Sequence, residues 1–298
     1  MSVLRAYQIY QTLTPQQRGL LKAKRIEAAY VPADWLTLLG SVAEFDRCSD
    51  SARKFAGWSG CLGVIVLIVG IFILGSDPEW RSDVPGWAAA AVAGLLVFYI
   101  LVSAVAYFRL RGIDMPNKLR QFVVPAITIL REDMEPSEPL SLKLDLRGGT
   151  LKEKQTDEQS SGPGYPKVVE SYFTDRWMSG SARLADASSV QWEIVDYIRQ
   201  RKTTKRNPRG KIKSKTKYKI KTLIDVRVGF RQSDYTPLTP GRVAEQRGEI
   251  TLQAGAKRNT FRVRRVVQSS DLNSALELKQ FLDAIASAYK RVKPSEAG

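Results

Sequence analysis

Residues 58–75 read "WSGCLGVIVLIVGIFILG", with no charge among them. The uncharged run extends from Phe55 to Ser76, and a second run, "VPGWAAAAVAGLLVFYILVSAVAYF", covers Val84 to Phe108. A helix needs about 20 apolar residues to cross roughly 30 Å of hydrocarbon, and both runs exceed that. The competing reading, two helices buried in a soluble core, does not suit uncharged runs of this length. A long polar segment precedes the first run, so it does not read as a cleavable signal peptide. Trp58, Trp80, Trp87 and Tyr107 stand near the four ends, where amphipathic rings prefer the headgroup layer. The sequence thus predicts a membrane protein whose transmembrane hairpin, 55–108, has spans at 57–75 and 86–108 and a short loop at 76–85.

Charge beside the spans sets the expected orientation. The connection "DPEWRSD" is net acidic, Arg53 and Lys54 precede the first span, and Arg109, Arg111, Lys118 and Arg120 follow the second. Positive flanks stay inside, which puts both termini in the cytoplasm and the protein in the plasma (inner) membrane with two spans. Neither span holds an ionisable residue, and intramembrane charge is what usually marks a conduction path. A small oligomeric channel or transporter component is therefore the weakest functional reading. Small residues (Gly63 and Gly70 on the first span; Ala89, Ala90, Ala93 and Gly94 on the second) suit close helix approach and a homo-oligomer.

The chain has no histidine and two cysteines, Cys48 and Cys61. That removes the commonest general base and metal ligand together, so no catalytic residue, metal site or cofactor is expected. Nor is a structural disulfide expected, because Cys61 lies inside an apolar run.

Residues 1–54 read as a cytoplasmic helical segment. Thr14, Pro15 and Gln17 form a capping-box pattern, and Leu20, Leu21, Ala23, Ala28 and Ala29 carry that helix to Pro32. A second helix is expected from about Asp34 toward the membrane.

Residues 109–298 read as an α+β cytoplasmic domain of about seven antiparallel strands and a C-terminal amphipathic helix. A short helix containing a proline, "NKLRQFVVPAITILRED", comes first. "PLSLKLDLR" then alternates strictly, with Leu140, Leu142, Leu144 and Leu146 on one face. A loop is expected at 155–166. "KVVESYFT" and "RWMSGSARLA" read as one bent strand or two. "SVQWEIVDYI" and "TLIDVRVGF" alternate again, and "EITLQA" and "TFRVRRVV" form a hairpin across "GAKRN". The helix at 271–293 would take Ser270 as its cap and Leu272, Leu276, Leu282, Ile285 and Tyr289 as its apolar stripe. In element order this domain resembles the pleckstrin-homology superfold.

The net charge of +16 is concentrated. Residues 199–221, "RQRKTTKRNPRGKIKSKTKYKIK", hold twelve Lys or Arg and no acid. Lysines at 211, 213, 215, 217, 219 and 221 have the period of a strand, so their ammonium groups share a face. "NPRG" is turn chemistry. Folding back there in an even register adds Arg199, Arg201 and Lys205 to the row of Lys211, Lys213, Lys215, Lys217, Lys219 and Lys221. Like charges opposite one another make such a basic hairpin weak in itself. Lysines also guard edge strands against association, but twelve cations without an acid exceed that need.

Polyanion binding is the expected role. Lysine is a point charge without the arginine fork, and Tyr218 alone interleaves as an aromatic. Each cation gains about 1 kcal/mol near an anionic leaflet. The expected partners are the lipid bilayer and its anionic headgroups, then nucleic acid, ribosomal RNA included, and then an acidic protein. "RGK" at 209–211 lacks the upstream glycine of a phosphate-binding loop, and nothing in the spacing of Asp145, Asp175 and Asp186 pairs them. The sequence points to a non-enzymatic membrane-anchored adaptor or scaffold.

Overall fold

A computed structural model describes residues 3–76, 85–162, 164–238, 242–245, 248–272 and 276–295. Residues 77–84, with Trp80, lie outside the described residues. By contacts the chain divides into two compact units, one of residues 1–22 and 41–115 and one of 23–40 and 116–298.

In the first unit, α1 (Val3–Thr12) and α2 (Pro15–Ala23) are short. The capping box forms: the Gln17 N–H donates to Thr14 Oγ1 at 3.3 Å and the Thr14 N–H donates to Gln17 Oε1 at 2.8 Å. The helix from the Asp34 region runs on without interruption through the first apolar run as α3 (Pro32–Ser76), and α4 covers Gly86–Gly112. Both are long and apolar enough to cross a membrane. They run antiparallel, because Gly57, Gly60 and Gly63 meet Tyr107, Ser103 and Ile100 in reverse order. A Cβ at Gly63 would stand 3.1 Å from Ile100 Cγ1, whereas one at Gly70 or Gly94 would meet nothing within 4 Å. Close approach thus depends on glycines three residues apart near the start of the first apolar run. Before that run, still on α3, the Arg53 guanidinium bonds Asp50 at 3.0 Å and reaches Asp114 at 2.5 Å, and the Met115 N–H donates to Asp46 at 2.9 Å.

The second unit starts where the expected helix fails. Lys24 takes a left-handed φ of 52°, and Arg25–Tyr30 form strand β1 instead of continuing to Pro32. Ile26, Ala28 and Tyr30 alternate inward, and β1 pairs antiparallel with β2 (Leu140–Asp145), Ala28 opposite Leu142. The helical expectation for 1–54 is corrected here: alanine has high helix propensity, but a strand edge overrides it. A second correction falls at 155–166, where Gln155–Ser160 form β3 against β4.

The remaining strands are β4 (Lys167–Arg183), β5 (Ser189–Arg206), β6 (Ile212–Arg231), β7 (Tyr235–Pro237), β8 (Arg242–Glu245), β9 (Gly248–Ala254), β10 (Arg258–Ser269) and β11 (Val292–Pro294). Nine of the strands make one antiparallel sheet in the order β1-β2-β4-β5-β6-β10-β9-β8, with β3 also on β4, while β7 pairs with β11. The two candidate strands at 167–185 are one, bent by a bulge between Arg176 and Met178 that turns both Trp177 and Met178 inward.

Two helical elements cover the inner face. Residues Leu119–Val123 make a π-helical turn leading directly into α5 (Val124–Glu132), which has Pro125 as its second residue. The C-terminal helix α6 is shorter than expected, Leu278–Tyr289, so Ser270 does not cap it. Residues 273–275, within the expected range, lie outside the described residues. Its buried stripe is Phe281, Ala284, Ile285 and Ala288, one position rotated from the expected Leu282. Phe281 packs edge to face on Phe122 and Trp192 at 5.7 and 5.8 Å, which locks helix, π turn and sheet into one core.

The basic hairpin and its charged neighbours

β5 and β6 pair over their whole length. Val190, Trp192, Ile194 and Ile198 share the inner side with Ile220, Ile224, Val226 and Phe230, so odd-numbered residues of both strands face outward. The register sets Arg199 opposite Lys219, Arg201 opposite Lys217, Thr203 opposite Lys215 and Lys205 opposite Lys213. Lys221 faces Tyr197. Eight of the nine expected cations are therefore on one outward face, all of them exposed. The ninth, Lys211, belongs to the turn, where its carbonyl accepts from the Asn207 N–H at 2.9 Å. Gly210 closes the turn at φ 79°. Lys202 and Arg206 have the opposite parity and leave the row.

The row is not uniformly free. Glu170 of β4 lies across from Arg201, receives two bonds from Arg199 at 2.7 and 2.9 Å, and stands 3.4 Å from Arg201 Nε. The Arg199 hydrogen bonds hold the Glu170 carboxyl below its ordinary range, and Glu170 in turn raises the Tyr172 phenol that donates to it. For Lys213, Lys215, Lys217, Lys219 and Lys221, no acidic partner occurs among the described residues. Tyr218, the aromatic expected to interleave with them, has inner-face parity; Tyr197, 46 % exposed, stands on the lysine side, as does Tyr172, the register partner of Arg199.

Further along the same face Asp225 gathers Arg262 (Nε to Oδ1, 2.9 Å), Arg264 at 3.2 Å and Arg227 at 3.9 Å. Burial pushes the Asp225 carboxyl up, but Arg262 and then Arg264 outweigh it and leave it below the usual range. Glu193, opposite Asp225, and Glu249, opposite Arg264, balance the remaining guanidiniums, so among the described residues the unpaired positive charge stays on the hairpin.

Beneath it lies a charged cluster that sequence reasoning missed. Asp175 and Asp196 are register partners on the inner face, 2 % and 5 % exposed. Lys118 donates to Asp196 at 2.5 Å and stands 4.6 Å from the centre of the Trp177 ring. Thr222 donates to the other Asp196 oxygen at 2.6 Å. Lys154 lies 2.7 Å from Asp175 and 3.3 Å from Asp145, so two carboxylates whose spacing suggested no pairing share one ammonium. Burial opposes ionisation of Asp145, but bonds from Arg147 and the charge of Lys154 bring it to about 2. Burial raises Asp175, only partly offset by Lys154. The signal was parity: Asp196 has the phase of Val190, Trp192 and Ile194. Gly149 keeps the covering loop close, since a Cβ there would run into Ile198 and Asp175.

Asp186, the third acid considered at the sequence level, accepts from Tyr289 at 2.9 Å, Tyr235 at 3.0 Å and the Ser188 N–H at 2.9 Å. Carboxylate oxygens of Asp46, Asp50 and Asp114 lie within 4.8 Å of one another, an arrangement able to hold a cation. Arg53 already supplies a positive charge to two of them. No protein-family model, curated protein or solved structure matches the chain.

Proposed function

We propose that this protein is a non-enzymatic adaptor, anchored by α3 and α4 in the plasma (inner) membrane with both termini in the cytoplasm, whose lysine face rests on the anionic leaflet. The observation that carries the reading is the row Lys213, Lys215, Lys217, Lys219 and Lys221, exposed on one face without acidic partners among the described residues. Five point charges along one strand attract a charged surface without reading its sequence or stereochemistry.

The anchor is supported by the helix surfaces. Only 11 % of the most apolar stretch of α3 and 6 % of that of α4 is buried within the structure. Ile65, Ile68, Phe72, Leu95, Phe98 and Leu101 are exposed around both helices. A helix apolar on all sides and uncovered by protein suits hydrocarbon, not water. The basic flanks Arg53, Lys54, Arg109 and Arg111 support the cytoplasmic placement of the ends.

The test is a competition at one ionic strength. Full chain in neutral-lipid nanodiscs is offered anionic vesicles, neutral vesicles, duplex DNA and structured RNA. Retention on anionic vesicles alone supports the proposal. Preference for nucleic acid in that competition, followed by a steep loss of its binding when salt is then raised, would replace it with the nucleic-acid reading, for which Tyr197 beside Lys221 supplies one stacking ring.

A further inference from the structure

The outer half of β6 is an open edge. The ladder between β6 and β10 ends at Ile220 opposite Ser269, while the ladder between β5 and β6 continues to Ile212. Among the described residues no strand lies on the other side of Ile212–Lys219. Residues 212–217 are all exposed, Ile212 at 59 %.

Hydrogen-bond phase identifies the free groups. In an antiparallel ladder, opposed residues alternate between pairs that bond each other and pairs whose N–H and C=O point away. The Asn207 N–H bonds the Lys211 carbonyl, and counting from that pair Lys213, Lys215, Lys217 and Lys219 direct their backbone groups to β5. Ile212, Ser214, Thr216 and Tyr218 direct theirs outward. The residues that carry the charge are thus not those that carry the free backbone groups. A partner strand would take its ladder from one set and its electrostatics from the other.

Charge restricts what the edge accepts. A second copy paired along the same edge would bring lysine rows together, which is destabilising, so the lysines act against self-association. An extended segment with acids at alternate positions would set carboxylates beside the lysine row while its backbone bonds to Ser214 and Thr216, the strand-addition mode of peptide recognition. We infer that the open edge Ile212–Lys219 binds an extended, alternating acidic segment of a partner protein by strand addition. This goes beyond leaflet binding, which needs the lysines but not the edge.

Thr216→Pro separates the two. It removes one outward N–H and no charge, and proline is tolerated where the N–H side of an edge strand faces solvent. The probe is an eight-residue acetylated peptide alternating Glu with Val, beside a control with proline at two of the valines, both offered to full chain in neutral-lipid nanodiscs. Wild type should bind the first peptide about tenfold more tightly than the control, with slowed amide exchange at Ser214 and Thr216 and not at Lys215. Thr216→Pro should lose that tenfold advantage and still bind anionic vesicles. Equal binding of the two peptides by wild type overturns the inference, as does peptide binding unchanged in Thr216→Pro. If Thr216→Pro disrupts the hairpin, the wild-type exchange pattern decides alone: protection that does not alternate, or none, overturns it. Failure on vesicles with success on peptide would instead remove the leaflet reading and leave the edge site standing.

Discussion

Asp175 and Asp196 face each other across β4 and β5, two buried carboxylates each held by its own lysine. Two like charges side by side in a core are tolerable only because Lys118 and Lys154 enter from separate segments, one just before the π turn and one just before β3. Removing one lysine leaves a buried charge uncompensated, which typically costs 3–5 kcal/mol. Lys118→Ala should destabilise the second unit by about 3 kcal/mol, at the low end of that range because a fifth of the Lys118 side chain is exposed. Lys118→Met together with Asp196→Leu should recover most of the loss. Urea unfolding followed by tryptophan fluorescence reports both, since Trp177 lies under the Lys118 ammonium.

Acid should act on Asp145 and Asp175 with opposite signs. Its folded pKa of about 2 lies below its ordinary 3.8, so its contribution is present above about pH 4 and is lost as pH falls toward 2. Asp175 is raised, so it has the opposite sign and gains stability as pH falls through its folded pKa toward 3.8. Asp145→Asn should therefore flatten the acid limb of the stability curve between pH 4 and 2, and Asp175→Asn should remove the gain made as pH falls toward 3.8 while leaving the slope below that unchanged. Denaturant midpoints measured at pH 2, 3, 4 and 6 check the two signs.

Phe281, fully buried between Phe122 and Trp192, is the residue on which α6 depends. Phe281→Ala should cost about 3–5 kcal/mol. Leu282→Asp should cost far less, because Leu282 is half-buried at the rim of a groove beside Ile129 and Tyr289 and leaves its new carboxylate in water. Thermal unfolding of the two variants side by side orders them, and equal losses would contradict the rotated stripe.

Between α3 and α4 the glycines differ in what they tolerate. Gly63→Leu should force the helices apart because Ile100 occupies the space, whereas Gly94→Leu meets nothing. Cys61 and Ala104 line the same interhelical furrow. A short bis-methanethiosulfonate, which forms a disulfide with each thiolate as methanesulfinate leaves, should therefore link Cys61 to an Ala104→Cys variant. The yield should fall with Gly63→Leu added and hold with Gly94→Leu added.

These contrasts show where sequence was readable. The apolar runs and the strict alternation of Leu140, Leu142 and Leu144 announce themselves because one periodicity fills each whole segment. The hairpin face was legible for the same reason, and its even register followed from the turn at Asn207 to Gly210. β1 was not, because "RIEAAY" suits either period and only the partner Leu140–Asp145 decides between them. Glu170 was invisible for a related reason: it lies 29 residues before Arg199, and a cross-strand ion pair depends on register that no local pattern encodes.

Glu170 also gives the sharpest test of the lysine face. It neutralises part of the row by holding Arg199 and Arg201, although all three side chains belong to the surface that would meet the leaflet. Glu170→Gln removes that negative charge and leaves both guanidiniums free to face an anionic surface. Retention on anionic vesicles should rise severalfold, with little change in fold, because exposed ion pairs contribute little to stability. Replacing Lys213, Lys215, Lys217 and Lys219 by Gln should act oppositely and abolish retention, and the Glu170→Gln gain should shrink as salt shortens the screening length from about 10 Å at 0.1 M. Vesicle co-sedimentation at 0.05, 0.15 and 0.5 M salt measures all three effects. A Glu170→Gln variant that binds no better than wild type at low salt would remove Arg199 and Arg201 from the contact and confine it to the lysines of β6.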